Sequence, residues 1–161
     1  MKADLIERFL NWANENEWNV ERASEIMELP EEVTARYKNI PKDWLKFMTQ
    51  FSDITNDTDD MWFFTCENIF DGGWSYNDFE NMSLDAADGD EEWSSKIKEF
   101  WDNTLPIVMS VGGDYQYFAI KLDTGKVVQG WEPEFEYPMV VADSFEDFLE
   151  KVIAGEIYLV V

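Results

Sequence analysis

The apolar positions of this chain change period along its length. Leu5, Ile6, Phe9, Leu10 and Ala13 fall on one helical face behind Asp4, a candidate cap. A weaker helical pattern runs from Val20 to Met27, breaks at Leu29-Pro30 and resumes from Glu31 to Tyr37. Ile40-Pro41 opens a stronger helix: proline suits a first turn, and Trp44, Phe47, Met48 and Phe51 follow at i, i+3, i+4 and i+7. Ser52 to Asp60 is all Asp, Asn, Thr and Ser apart from Ile54, which predicts a loop. Met61 to Cys66 predicts a buried strand and Asp71-Gly72-Gly73 a turn, while the pattern from Tyr76 to Asp90 is ambiguous. Glu92 to Asn103 is helical again, with Trp93, Ile97, Phe100 and Trp101 at i, i+4, i+7 and i+8. Near the end, Ser144 followed by Asp147 resembles a capping box, and the stripe Phe145, Phe148, Leu149, Val152, Ile153 stops at Gly155.

Between these helical segments lies a run that poses a chemical question. Gly112-Gly113 follows an apolar stretch, and Thr124-Gly125-Lys126 comes soon after. A phosphate-binding P-loop needs a Gly-x-x-x-x-Gly-Lys-Ser/Thr run that leads from a strand into a helix. Here Gly113 leads into Tyr115 to Leu122, aromatic and β-rich, and Gly125 leads into Val127-Val128. The glycine steps therefore join antiparallel strands. The expectation is a β-meander over Pro106–Val111, Tyr115–Leu122 and Lys126–Trp131, with no phosphate site. No internal repeat or linker interrupts the chain. Together these elements predict a single α+β domain: a mostly antiparallel sheet, its meander at about 106–131, flanked by N-terminal and C-terminal helices.

Composition changes the picture in one respect. The 161 residues carry 35 Asp and Glu against 12 Lys and Arg, a formal charge of −23. That balance suits disorder only where aromatics are scarce, and 16% of this chain is aromatic. A folded, strongly acidic protein follows. Between Lys46 and Lys96 there is no basic residue, yet 13 Asp or Glu fall there. A field of one sign repels nucleic acid and anionic membranes and steers basic partners inward; it also serves solubility alone. The N-terminal MKADLIERFL is broken by Glu7 and Arg8, unlike a signal peptide, and no apolar run approaches the ~18 residues of a membrane span. The expected compartment is cytoplasmic.

Chemistry is sparse. With no histidine, Ser-His-Asp and Cys-His catalysis and the usual zinc sets fall away. The one cysteine, Cys66, sits in an apolar run and reads as a buried structural thiol. An EF-hand register fails at both Gly72 and Gly89, leaving a loose oxygen site at Asp85–Glu92 or, more simply, a solvated acidic loop. No carboxylate pair stands out as a glycosidase pair. No catalytic, cofactor or metal residue is assigned. The candidate surface is a set of partner-binding residues: Asp57, Asp59 and Asp60 first, then Asp88, Asp90 and Glu91, then Trp131, Glu132, Glu134 and Glu136. The segment Trp131–Pro138 supports two readings. In one it covers the sheet edge, with Pro133 and Pro138 blocking further pairing; in the other its aromatics and acids recognise a Lys- or Arg-rich partner.

Taken in order, several short motifs form a pattern. They are Leu29-Pro30, Ile40-Pro41 with the helix to Met48, Trp62-Phe-Phe64, Tyr76-Asn-Asp-Phe-Glu80 and Phe100-Trp101. Leu105-Pro106-Ile107, Gly113-Asp-Tyr115, Thr124-Gly-Lys-Val127 and Ala142-Asp-Ser-Phe-Glu-Asp-Phe-Leu149 complete it. This order resembles the SUKH (Smi1/Knr4) superfamily over roughly Leu29 to Ile157. The chain divides accordingly into an N-terminal helical extension, 1–28, and an SUKH-like domain, 29–161, within one compact unit. Two departures are a Ser52-Asp-Ile-Thr-Asn-Asp57 stretch where many members place Asn-Gly, and the segment ahead of Leu29. The resemblance implies an α+β domain and, for bacterial members, an immunity protein that binds and neutralises a cognate toxin. It carries over no catalytic residue. The expected partner is a basic, nuclease-type toxin protein, bound without catalysis. The alternatives are a regulatory or scaffold interaction module, as in the fungal relatives of cell-wall signalling, and more remotely a carboxylate-dependent hydrolase.

Overall fold

The computed structural model describes residues 1–70 and 73–159; the predicted turn at Asp71-Gly72 lies outside them. In chain order the elements are α1 (Ala3–Glu15), β1 (Trp18–Arg22), α2 (Glu31–Arg36), α3 (Lys42–Met48), β2 (Phe51–Asn56) and β3 (Met61–Phe63). Then come α4 (Asp78–Ala86), α5 (Glu91–Asp102), β4 (Thr104–Ser110), β5 (Gln116–Lys121), β6 (Val127–Trp131), β7 (Met139–Ala142) and α6 (Phe145–Ile153). All seven strands form one antiparallel sheet in sequence order, β1 to β7. The protein is a single α+β domain, and the predicted meander is its centre: β4, β5 and β6 begin and end within two residues of the expected bounds.

Strand alternation decides which helices cover which face. On β5, Phe118 points to the side of α6, where its ring lies 5.2 Å from Phe148. Phe63 of β3 meets Phe9 of α1 at 5.5 Å on that same side, and Phe47 of α3 meets Phe145 at 5.2 Å. Tyr117, next to Phe118, points the other way, into α4 and α5, with Trp101 at 5.0 Å and Phe79 at 6.2 Å. Because both faces are covered there, every residue of β4 is buried and its polar alternation vanishes. Across β6, Gly130 sits opposite Tyr117. A Cβ at Gly130 would lie 2.5 Å from the Tyr117 ring, and that ring is held by Trp101, Phe79 and its hydroxyl donating to the Phe135 carbonyl.

The sequence expectations fail at several places. Val20–Met27 does not form a helix: Trp18 to Arg22 is the sheet's first strand, paired with β2. Around that strand, Leu5, Phe9 and Trp18 are buried in the hydrophobic cluster, and Arg8 forms a two-pronged ion pair with Glu150 of α6 at 2.8 and 2.6 Å. Ser52–Asp60 is not a loop throughout, because β2 runs to Asn56 between two partner strands. The strand predicted to Cys66 stops at Phe63, after which Phe64 donates one more hydrogen bond to Ile107 at 2.9 Å. Finally, Pro138 does not end pairing at the edge, for β7 begins at the next residue and pairs with β6. Asp4 lies inside α1, one turn before its ion-pair partner Arg8 at 3.2 Å, and does not cap the helix. No helix among the described residues is long and apolar enough to cross a membrane.

Candidate functional site

One row of side chains crosses the α4/α5 face of the sheet: Asn19, Thr55, Trp62, Met109, Tyr117 and Gly130 are successive cross-strand partners. Met109 and Tyr117 are buried, whereas Asn19 is exposed and Thr55 and Trp62 are half-buried. The helices therefore cover the β4–β6 end of this face and leave the β1–β3 end open. On that open shelf Glu21 and Asp53 stand directly opposite each other, an unfavourable like-charge pair. Burial first, then the charges of Glu21, Asp59 and Glu67, push the Asp53 carboxyl above its ordinary value, against the pull of a hydrogen bond from the Ile54 backbone. Among the described residues none of Glu21, Asp53, Asp59 and Glu67 is in an ion pair.

At the foot of the shelf is a cleft of about 210 Å³ lined by Asp53, Thr55, Asp59, Trp62, Asn68, Gly73 and Trp74. The β2–β3 hairpin positions its acidic rim. Asp60 is consumed in forming that hairpin: its Oδ1 accepts from Asn56 Nδ2 at 2.7 Å and Thr58 Oγ1 at 2.8 Å. Asp59 adopts φ +58°, which turns the chain, and both Asp57 and Asp59 remain exposed. Trp74 is braced from behind by Tyr115, 5.1 Å away and edge-on. Asn68 is tied down by donating to the Phe63 carbonyl at 3.1 Å and accepting from Thr65 N–H at 2.7 Å. Trp74 and Asn68 are thus each held by contacts within the chain.

The other acids expected at the surface divide by role. Asp90 caps α5, accepting from Trp93 N–H at 2.9 Å, while Asp88 at φ +47° and Gly89 at φ +82° make the turn before it. Glu91 is exposed in the first turn of α5. Glu132 accepts from Tyr115 N–H at 3.0 Å, and Glu136 from the Trp101 indole at 2.8 Å; both are half-buried and engaged in the fold, with Glu136 also lining the groove described next. Glu134 is exposed and lines a second, larger groove of about 520 Å³ with Trp93, Phe100, Pro133 and Tyr137. Trp131 is 42% exposed but belongs elsewhere: paired with Gln116, it points to the face opposite Tyr117 and Gly130. The structure thus brings Glu134 near the start of α5 and separates Trp131 from both.

Sequence reading missed Glu21, Asp53, Trp62, Glu67 and Trp74. Once β2 is a strand, the alternation of Asp53 and Thr55 with Ile54 marks an open polar face. Cys66 is buried, its Sγ 3.5 Å from the Met48 sulfur, and burial followed by Glu67 pushes the thiol up to about 11. It is a packed thiol, not a nucleophile at neutral pH. Among the described residues no group of three or more acids or cysteines is arranged to hold a metal ion. The chain matches no family model, no curated protein and no solved structure.

Proposed function

We propose that this protein is a non-catalytic inhibitor of the SUKH type, cytoplasmic, that neutralises a cognate basic toxin by covering it with the open acidic shelf. The observation that carries the reading is the self-repulsion of that shelf. Glu21, Asp53, Asp59 and Glu67 crowd one sheet end with no ion-pair partner among the described residues, which weakens the free protein, and a cationic partner relieves it. A toxin that acts on nucleic acid presents a basic face, so an acidic cover blocks the surface it works with. Steering by a net charge of −23 speeds encounter, toward about 10⁸–10⁹ M⁻¹s⁻¹ at low salt. The aromatics at the site then slow dissociation. The order of motifs from Leu29-Pro30 to the Ser144-capped helix supports the family assignment.

The test is capture on the tagged protein at low salt, elution in a salt gradient, and expression of each captured protein alone. The reading expects one basic protein, retained beyond physiological salt, that arrests growth by itself and is silenced by co-expression. Charge reversal at Asp53 and Asp59 should slow association and abolish that protection. Several weak partners that elute early, with no growth arrest, would replace the toxin by a regulatory role.

A further inference from the structure

The shelf explains why a basic partner is attracted, but its cleft is more selective than a charge. Its lining combines two indoles, Trp62 and Trp74, with two carboxylates, Asp53 and Asp59, and two neutral polar side chains, Thr55 and Asn68, in about 210 Å³. That volume suits one side chain rather than a helix or strand. A lysine ammonium is a compact, strongly hydrated point charge that loses more hydration on reaching an indole face and offers it no planar surface to stack. A guanidinium is planar and weakly hydrated, stacks on aromatic rings and meets carboxylates with paired N–H groups. A neutral ligand would leave the repulsion among Glu21, Asp53, Asp59 and Glu67 in place.

We propose that the cleft is an arginine-reading site, taking one guanidinium from the partner protein against Trp62 and Trp74 with Asp53 and Asp59 as its counter-ions. The inference rests on the reading of the shelf as the face for a basic partner and adds which residue of that partner anchors it. Two features support a built pocket. Trp74 is braced by Tyr115 at 5.1 Å, and Asn68 is held by two backbone hydrogen bonds, so little ordering remains at binding. The raised Asp53 carboxyl returns toward its ordinary value when the guanidinium arrives.

The experiment titrates the full chain with acetyl-arginine amide and, separately, acetyl-lysine amide, following the indole N–H resonances of all eight tryptophans by NMR. The expected result is a saturable shift confined to Trp62 and Trp74, at least about five-fold tighter for the arginine compound. Asp53→Asn, which relieves repulsion and so keeps the protein folded, should weaken it about ten-fold or more; Trp62→Leu should remove the preference for arginine over lysine. Equal responses to both compounds, or shifts centred on Trp93 or Trp131, would overturn the proposal. So would an unchanged affinity in Asp53→Asn. A toxin bound tightly by a chain whose cleft ignores arginine would defeat this site and leave the proposed function standing. Arginine capture without any toxin partner would uphold the cleft and defeat that function.

Discussion

At the residue scale, Asp53 and Gly130 show two ways in which a position answers to its neighbours. Asp53 has its carboxyl pushed up by burial and by Glu21, Asp59 and Glu67, so the folded protein holds its proton more tightly than the unfolded chain does. Stability contributed by this group therefore falls as pH rises from the ordinary Asp value, about 3.9, through the raised folded value, and the full penalty stands above that window. Asp53→Asn should accordingly be more stable than the parent at pH 7 in urea denaturation, with the gap closing as the pH drops below the window. A variant less stable at pH 7 would show that the carboxylate is held by something favourable. Gly130 is constrained by shape instead: a methyl there runs into the Tyr117 ring, which is packed between Trp101 and Phe79. Gly130→Ala should cost about 1–3 kcal/mol, read from the denaturation midpoint at unchanged slope.

At the scale of elements, one arginine joins three helices outside the hydrophobic core. Arg36, at the end of α2, grips Glu80 of α4 with two contacts of 2.7 and 2.8 Å and Asp102 of α5 with a third at 3.0 Å. Its guanidinium also lies 5.2 Å from the Tyr37 ring. Glu80 is buried, so Arg36→Ala strands a carboxylate and should destabilise by about 3 kcal/mol. Arg36→Lys restores only part of this, because an ammonium cannot serve Glu80 in that forked geometry and reach Asp102 as well. The helix starts are smaller matters. Ser144 accepts from Asp147 N–H at 3.0 Å and Asp90 from Trp93 N–H at 2.9 Å; alanine at either should cost about 1 kcal/mol. The Ser144 cap was readable from spacing alone, since capping is local. The strand β1 was not: Ala23 to Met27 continues an apolar spacing that mimics a helix, and only the pairing with β2 makes Trp18–Arg22 extended.

For the whole molecule, the charge of −23 opposes compactness at every pH well above the pI of about 4.1. The melting temperature should rise from about 0.01 to about 1 M NaCl, as the Debye length shrinks from about 30 to about 3 Å; a melting point that falls with salt would mean that the ion pairs outweigh the repulsion. By itself the sequence determined the class of fold, the central meander with its two glycine turns, the amphipathic helices α1, α5 and α6 and the acidic interval from Lys46 to Lys96. Each of these depends on neighbours a few residues apart, or on totals. Tertiary structure alone decided where the acidity becomes a surface. Asp53 and Thr55 are loop-like residues because they face the side of this sheet end that α4 and α5 leave open, while Ile54 between them is buried on the other side, and strand status came from β1 and β3 on either side. Likewise Glu132 and Glu136 are each tied by a hydrogen bond, to Tyr115 and Trp101 respectively, residues distant in sequence. Trp62 and Trp74, far apart in a chain rich in tryptophan, became two walls of one cleft because β3 and the segment before α4 meet beside the open shelf. Such juxtapositions are set by pairing and packing between distant segments, which no local period records.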